Sequence, residues 1–327
     1  MTSTFIASAA TSAFDASSAD TGMDGDGHVE AAPVESHRPL VDESPHTGVS
    51  PEPDRPARRT LKAFAQDVDA GRRGDPAALP AQEALPMSTT EIDLTALAAQ
   101  DADALAIADF LSSCTHAWPG RIAATVTLQG CPWLCAYCGT PESHDPTGQG
   151  RVTWRQVVEQ LSSHSDVVDA VVFGGGEPTR QDGLVSAIRE ARSLGYEIGL
   201  HTMGAHPGRV ASVLPTVDWV RFDLKGTPGM YEHITGSDTA GFQAWASLEA
   251  IHESGVEYEI LLTVDPTVHT RDNILATVRE VIHRGFHAPV LQQPRRATAS
   301  VGYRRALRGR GLYDVITHED LPDLTRR

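Results

Sequence analysis

The sequence predicts an α/β protein, an incomplete (β/α)6 barrel with a long unstructured N-terminal extension. Three observations predict it. From about residue 105 the chain alternates short apolar, β-branched runs with amphipathic stretches of helical period. That alternation implies a parallel sheet with right-handed crossovers. Six such units occupy about 190 residues, too few for a full eight-unit barrel. The first strand-to-helix turn also lacks the glycine fingerprint of a dinucleotide fold, which argues against an open doubly wound sheet.

The elements follow in order. Residues 122–129 (IAATVTLQ) read as the first strand. Thr153 and Gln156 form a capping-box pattern, and Trp154, Val157, Val158 and Leu161 continue it at helical spacing. Residues 170–173 (AVVF) are a short buried strand. Residues 181–194 are helical, with Leu184, Val185, Ile188 and Ala191 on one face and Gly195 as the stop. Strands follow at 196–201, 217–223, 256–264 and 289–291, and helices at 207–214, 242–254 and 271–283.

Residues 1–90 are rich in Ala, Ser, Thr, Asp, Glu and Pro and have no sustained period. Such a segment buries too little apolar surface to offset its ordering entropy, so a disordered acidic tail is expected. A short helix near residues 60–68 is the exception. All five Trp and all six Tyr lie at or after Trp118. The barrel is expected over 91–300, with an Arg-rich tail of little pattern over 301–327. The net charge of −16 argues against nucleic acid as a partner. No run approaches the roughly 18 apolar residues of a membrane span, and no basic leader is evident, so a cytoplasmic protein is expected.

Four cysteines are too few for a disulfide scaffold. Three lie together, Cys131, Cys135 and Cys138, on the loop after the first strand. Thiolates this close converge on a soft centre. A structural zinc site wants four ligands, with Cys114 or His144 as the fourth here. Three cysteines alone suit an iron–sulfur cluster with one iron left open. A glycine run, Gly174-Gly175-Gly176-Glu177-Pro178, ends the second strand, and loops at strand C-termini are where (β/α) barrels gather their chemistry.

Cys-x3-Cys-x-Tyr-Cys on that loop, with Tyr137 at the aromatic position, resembles the radical S-adenosylmethionine (SAM) superfamily. The resemblance implies a partial barrel of the radical SAM type. It also implies a 4Fe–4S cluster on Cys131, Cys135 and Cys138, whose open iron chelates SAM and cleaves it to a 5′-deoxyadenosyl radical. It places Gly174, Gly175, Gly176 and Glu177 at the SAM amino group, and Tyr137, Thr202, Asp223, Lys225 and Gln293 around SAM. Lys225 approaches the carboxylate. No side chain is expected to act as a catalytic acid or base, because cofactors carry the chemistry. Trp118-Pro-Gly-Arg121 and Leu128-Gln-Gly-Cys-Pro-Trp133 narrow the resemblance to activating proteins of anaerobic ribonucleoside-triphosphate reductase, with pyruvate formate-lyase activators and 7-carboxy-7-deazaguanine synthases as alternatives. A non-catalytic metal-binding module is the rival from another class. The implied partners are a glycyl-radical enzyme and a flavodoxin- or ferredoxin-type electron donor.

Several positions depart from the family pattern. Gly139-Thr140 replace His-Asn after the third cysteine, Ala117 replaces Asp, and His201 replaces the Asp of Asp-Thr-Asn-Gly. His201 offers no carboxylate oxygen for a monovalent cation beside SAM. Cys114 reads as a structural thiol, His144 as a loop residue and Trp133 as a cover over the cluster. Arg295, Arg296, Arg304, Arg305, Arg308 and Arg310 read as a solvated face, or as an electrostatic dock for a partner.

Overall fold

The computed structural model describes residues 101–164 and 166–327. The expected tail over 1–90, its short helix and the start of the barrel domain lie outside them. Seven strands form one sheet in sequential order. β1 (Ile107–Cys114) pairs antiparallel with β2 (Ala123–Leu128). From β2 onward every pairing is parallel, through β3 (Ala170–Gly175), β4 (Glu197–Thr202), β5 (Trp219–Leu224), β6 (Glu257–Thr263) and β7 (Val290–Gln292). The six parallel strands are those the alternation predicts. β1 and β7 are not paired with each other, so the barrel is partial.

Crossovers are helical, as a parallel ladder requires. α1 (Trp154–Ser163) follows β2, and its capping box is formed, with Thr153 and Gln156 bonding each other's backbone. α2 (Leu184–Ser193) follows β3 and α3 (Pro207–Val213) follows β4. A short α4 (Tyr231–Thr235), not anticipated from the sequence, precedes α5 (Ala240–Ser254), and α6 (Arg271–His283) joins β6 to β7.

Alternate residues of each strand face opposite ways. Val126, Leu128, Val171, Phe173, Ile198, Leu200, Val220 and Phe222 belong to the main core with the helices. The other face lines the bore. Ala123, Ala170, Val172 and Trp219 close its lower end together with Trp118, which stacks on Trp219 at 5.1 Å. His201, Arg221 and Glu259 sit one layer higher in register across β4, β5 and β6.

The expected Arg-rich tail is not a tail. α7 (Val301–Leu307) buries Tyr303 and Leu307. Leu312, Ile316, Leu321 and Leu324 pack with Ile274 and Val278 of α6 and Leu291 of β7 in a second core. The last residues lie parallel along β7, with Leu291 N–H donating to Thr325 O at 2.9 Å and Arg327 N–H to Leu291 O at 2.9 Å. This covers a strand edge that would otherwise be open. Arg327 also reaches inward and grips both Glu259 oxygens at 2.8 and 2.7 Å. Glu259 in turn accepts from Arg221 Nε at 3.2 Å.

Candidate functional site

The cysteine loop leaves β2 at Leu128 and is fastened on three sides. Gly130 N–H donates to Ser143 O, Cys131 N–H to His144 O, and Leu134 N–H to Thr235 O of α4. Trp133 is buried against Tyr231 of α4, ring centroids 5.7 Å apart. Cys131 and Cys135 are buried and Cys138 half-buried, and all three are free thiols. Burial pushes Cys131 up to about 12 and raises Cys135. Burial would raise Cys138 too, but hydrogen bonds from His144 and the Thr140 backbone outweigh it and hold that thiol low. His144 is thus a partner of Cys138 rather than a bystander. Cys114 sits opposite Ala123 at the start of β2, the far end of the strand from this loop. It does not join the three.

The glycine loop lies against the cysteine loop. Gly176 N–H donates to Leu128 O and Glu177 N–H to Gly130 O, both at 2.9 Å. A Cβ on Gly176 would strike the Gly130 carbonyl, so only glycine permits the approach. Gly175 has φ +110 and is exposed, with its missing Cβ 2.5 Å from Leu128 backbone atoms. Gly174 lies beside His201. Glu177 is fully buried and accepts from Thr179 Oγ1 (2.7 Å), Thr202 Oγ1 (2.8 Å) and the Met203 N–H (3.1 Å). Thr202 and Glu177 therefore serve each other's loops, tying the end of β4 to the glycine loop. Met203 Sδ lies 3.7 Å from Cys131 Sγ, a neighbour the sequence motifs do not reveal.

Lys225 follows β5, 2% exposed. Its ammonium meets Asp223 Oδ2 at 3.2 Å and lies 5.3 Å from the Tyr137 ring. Burial opposes its charge, but the Asp223 carboxylate overcomes that and keeps it protonated. Asp223 Oδ1 and the Tyr137 hydroxyl are buried with no hydrogen-bond partner. Gln293 is the outlier among the expected site residues. Its amide oxygen accepts from Leu312 N–H at 2.7 Å, which commits it to the C-terminal segment.

His201 is not an anion. Its Nε2 donates to Ala117 O at 2.7 Å, and burial, reinforced by Arg221, pushes its pKa down to about 3. Ala117 and His201, both expected from the resemblance to stand at acid positions, are bonded to each other. Gly139 lies beside the Arg295 stem, whose Cδ would be in ordinary contact, 3.5 Å, with a Cβ there.

Residues 125–286 match the family model of the Radical SAM superfamily. A Methanocaldococcus jannaschii protein named a glycyl-radical enzyme activating enzyme is 29% identical over 113 residues, 33% of this chain and 45% of its own. A Haemophilus influenzae protein of the same description is 32% identical over 107 residues, 32% of this chain and 41% of its own. A Thermococcus kodakarensis 7-carboxy-7-deazaguanine synthase is 30% identical over 129 residues, 32% of this chain and 50% of its own. The chain thus spans half or less of the length of these curated relatives. Residues 125–286 thus carry a radical SAM domain, and the chain resembles the glycyl-radical activases of that superfamily.

The family's cofactors are a 4Fe–4S cluster and SAM. The residues present fit both. Three unbridged thiols on one fastened loop are an all-thiolate donor set for such a cluster. No group of three or more His, Cys, Asp or Glu among the described residues is gathered around a single ion. The two orphaned oxygens beside Lys225, and a glycine loop open on one side, suit a polar ligand such as SAM. Among the described residues no helix is long and apolar enough to cross a membrane.

Proposed function

We propose that the chain activates a glycyl-radical enzyme, with anaerobic ribonucleoside-triphosphate reductase as its partner. The observation that carries the reading is the run Trp118-Pro-Gly-Arg121 and Leu128-Gln-Gly-Cys-Pro-Trp133, together with two relatives named as activating enzymes. When bound, the cluster and SAM supply a radical able to take hydrogen from a glycine Cα. This chain's residues bind and orient. Cys131, Cys135 and Cys138 hold the cluster. Gly174, Gly175 and Gly176 leave room for SAM, with Glu177 and Thr202 bracing the loop. Asp223, Tyr137 and Lys225 present one cation and two unpartnered oxygens to it. Trp118 and Trp219 plug the bore below, keeping water from the lower end.

Two surface features support protein partners. Leu134, between two cluster cysteines, is 70% exposed, an apolar contact beside the site. Arg295, Arg296, Arg304, Arg305, Arg308 and Arg310 are all exposed, and none forms an ion pair among the described residues. Arg295 adjoins Gly139, next to Cys138. This face suits an acidic flavodoxin- or ferredoxin-type electron donor.

A second reading, a small-molecule enzyme of the 7-carboxy-7-deazaguanine synthase kind, draws on the relative so named and on the polar bore layer of His201, Arg221, Glu259 and Arg327. One experiment separates them. With SAM and reductant, the anaerobic reductase should acquire a stable glycyl radical, seen by electron paramagnetic resonance as a Cα–H doublet. A radical on pyruvate formate-lyase alone would reassign the partner. Coupled turnover of a small molecule, with no radical on either enzyme, would overturn the activase reading.

A further inference from the structure

A buried imidazole is costly unless both nitrogens are paired. His269 is 5% exposed and lies past β6, in no motif of the family resemblance. Its Nδ1 accepts from the Asp265 backbone N–H at 2.8 Å. An N–H donor facing Nδ1 fixes the ring as neutral, with its proton on Nε2. Burial acts in the same direction, holding the imidazole below its usual range. Nε2 then donates to the Lys225 carbonyl oxygen at 2.9 Å.

That carbonyl needs the bond. The β5–β6 ladder ends at Leu224 opposite Leu262, so Lys225 has left the sheet while remaining buried. Its N–H donates to Tyr231 Oη at 3.1 Å. The Lys225 peptide is therefore gripped on both sides, by Tyr231 from the cysteine-loop side and by His269 from the β6 side. The His269 turn is itself braced. Asp265, 1% exposed, accepts from Thr267 N–H at 2.8 Å and from Tyr303 Oη of α7 at 2.8 Å. A lysine on a flexible four-carbon stem takes its aim from where its backbone is held.

We infer that His269 is a positioning residue for SAM: its bond to the Lys225 carbonyl sets the place from which the Lys225 ammonium meets the SAM carboxylate. This rests on the proposed role of Lys225. The effect is confined to the amino-acid end of the ligand, because His269 acts only through Lys225. Part of a SAM molecule, 5′-methylthioadenosine, keeps the adenosine and sulfur but lacks the amino and carboxylate groups, and it should be indifferent to His269.

The test uses the full chain with its cluster loaded and measures Kd for SAM and for 5′-methylthioadenosine. His269→Leu should weaken SAM binding about tenfold and leave 5′-methylthioadenosine within about twofold, at unchanged iron content. His269→Gln, whose amide can accept from Asp265 N–H and donate to the Lys225 carbonyl, should recover most of the loss. Lys225→Ala should weaken SAM alone, and adding His269→Leu to it should cost little more, since the two act in series. If the Leu variant loads no cluster, His269→Asn, too short to span both partners, carries the same expectation. Unchanged SAM affinity in the His269 variants, with loss in Lys225→Ala, would overturn the positioning role. So would equal loss of both ligands. Unchanged SAM affinity in Lys225→Ala would instead overturn the role of Lys225 on which the inference stands.

Discussion

The environment of His201 makes a quantitative prediction. Its ring donates to Ala117 O, packs edge-on to Trp219 at 5.8 Å and faces Arg221 across the β4–β5 ladder. Burial, then Arg221, pushes the pKa from 6.5 down to about 3. The unfolded chain therefore takes up a proton near pH 6.5 that the folded chain refuses. Stability from this group is complete above pH 6.5 and is lost as the pH falls below it. Between pH 7.5 and 5.5 the loss is about 1.4 kcal/mol, one decade of proton binding by the unfolded state alone. Any folded-state value below about 4.5 gives the same figure over that interval. The assay is anaerobic denaturant unfolding at both pH values, for the native sequence and His201→Gln, whose amide can keep the Ala117 bond. The variant should lose about 1.4 kcal/mol less on acidification. Equal losses in the two proteins would refute the neutral, buried His201.

Two further perturbations test the frame of the site. Gly175→Val places a Cβ 2.5 Å from Leu128 backbone atoms at a φ of +110, so stability should fall by about 2–4 kcal/mol and SAM affinity with it, read by denaturation and titration. An unperturbed ladder and unchanged affinity would contradict the close approach. Ile316→Ala should cost about 2–4 kcal/mol, because Ile316 is fully buried against α6 and β7; a neutral effect would return residues 301–327 to the status of a loose tail.

Much of the barrel was legible because its elements are locally consistent. The period-3.6 stripe and capping signals of α1 survive unchanged, and α6 occupies the predicted bounds. β1 escaped notice because it is an edge strand exposed along alternate residues, with Ser112, Ser113 and Cys114 weakening its apolar signal. The C-terminal segment escaped because its buried Leu312, Ile316, Leu321 and Leu324 are spread among turns and charges. In the site, sequence spacing found the three thiols and the glycine loop, since both depend on local chain geometry. It did not reveal that Glu177 and Thr202 face each other, that Gln293 holds Leu312, or that Met203, Tyr231 and His269 surround the candidate ligands. Those are contacts between segments far apart in the chain, which only the assembled sheet and its loops bring together. The Asp265-x-Thr267 turn was the one local signal pointing toward His269.

On the proposed function, Cys131, Cys135 and Cys138 hold a cluster with one iron open to SAM. Mössbauer spectroscopy of the iron-57 reconstituted protein, with and without SAM, addresses it directly. The expected result is a 4Fe–4S spectrum in which about a quarter of the iron signal shifts when SAM is added. That spectrum should vanish in any single Ala variant of the three cysteines and persist in Cys114→Ala. Four irons indifferent to SAM, or stoichiometric zinc that requires Cys114, would contradict it.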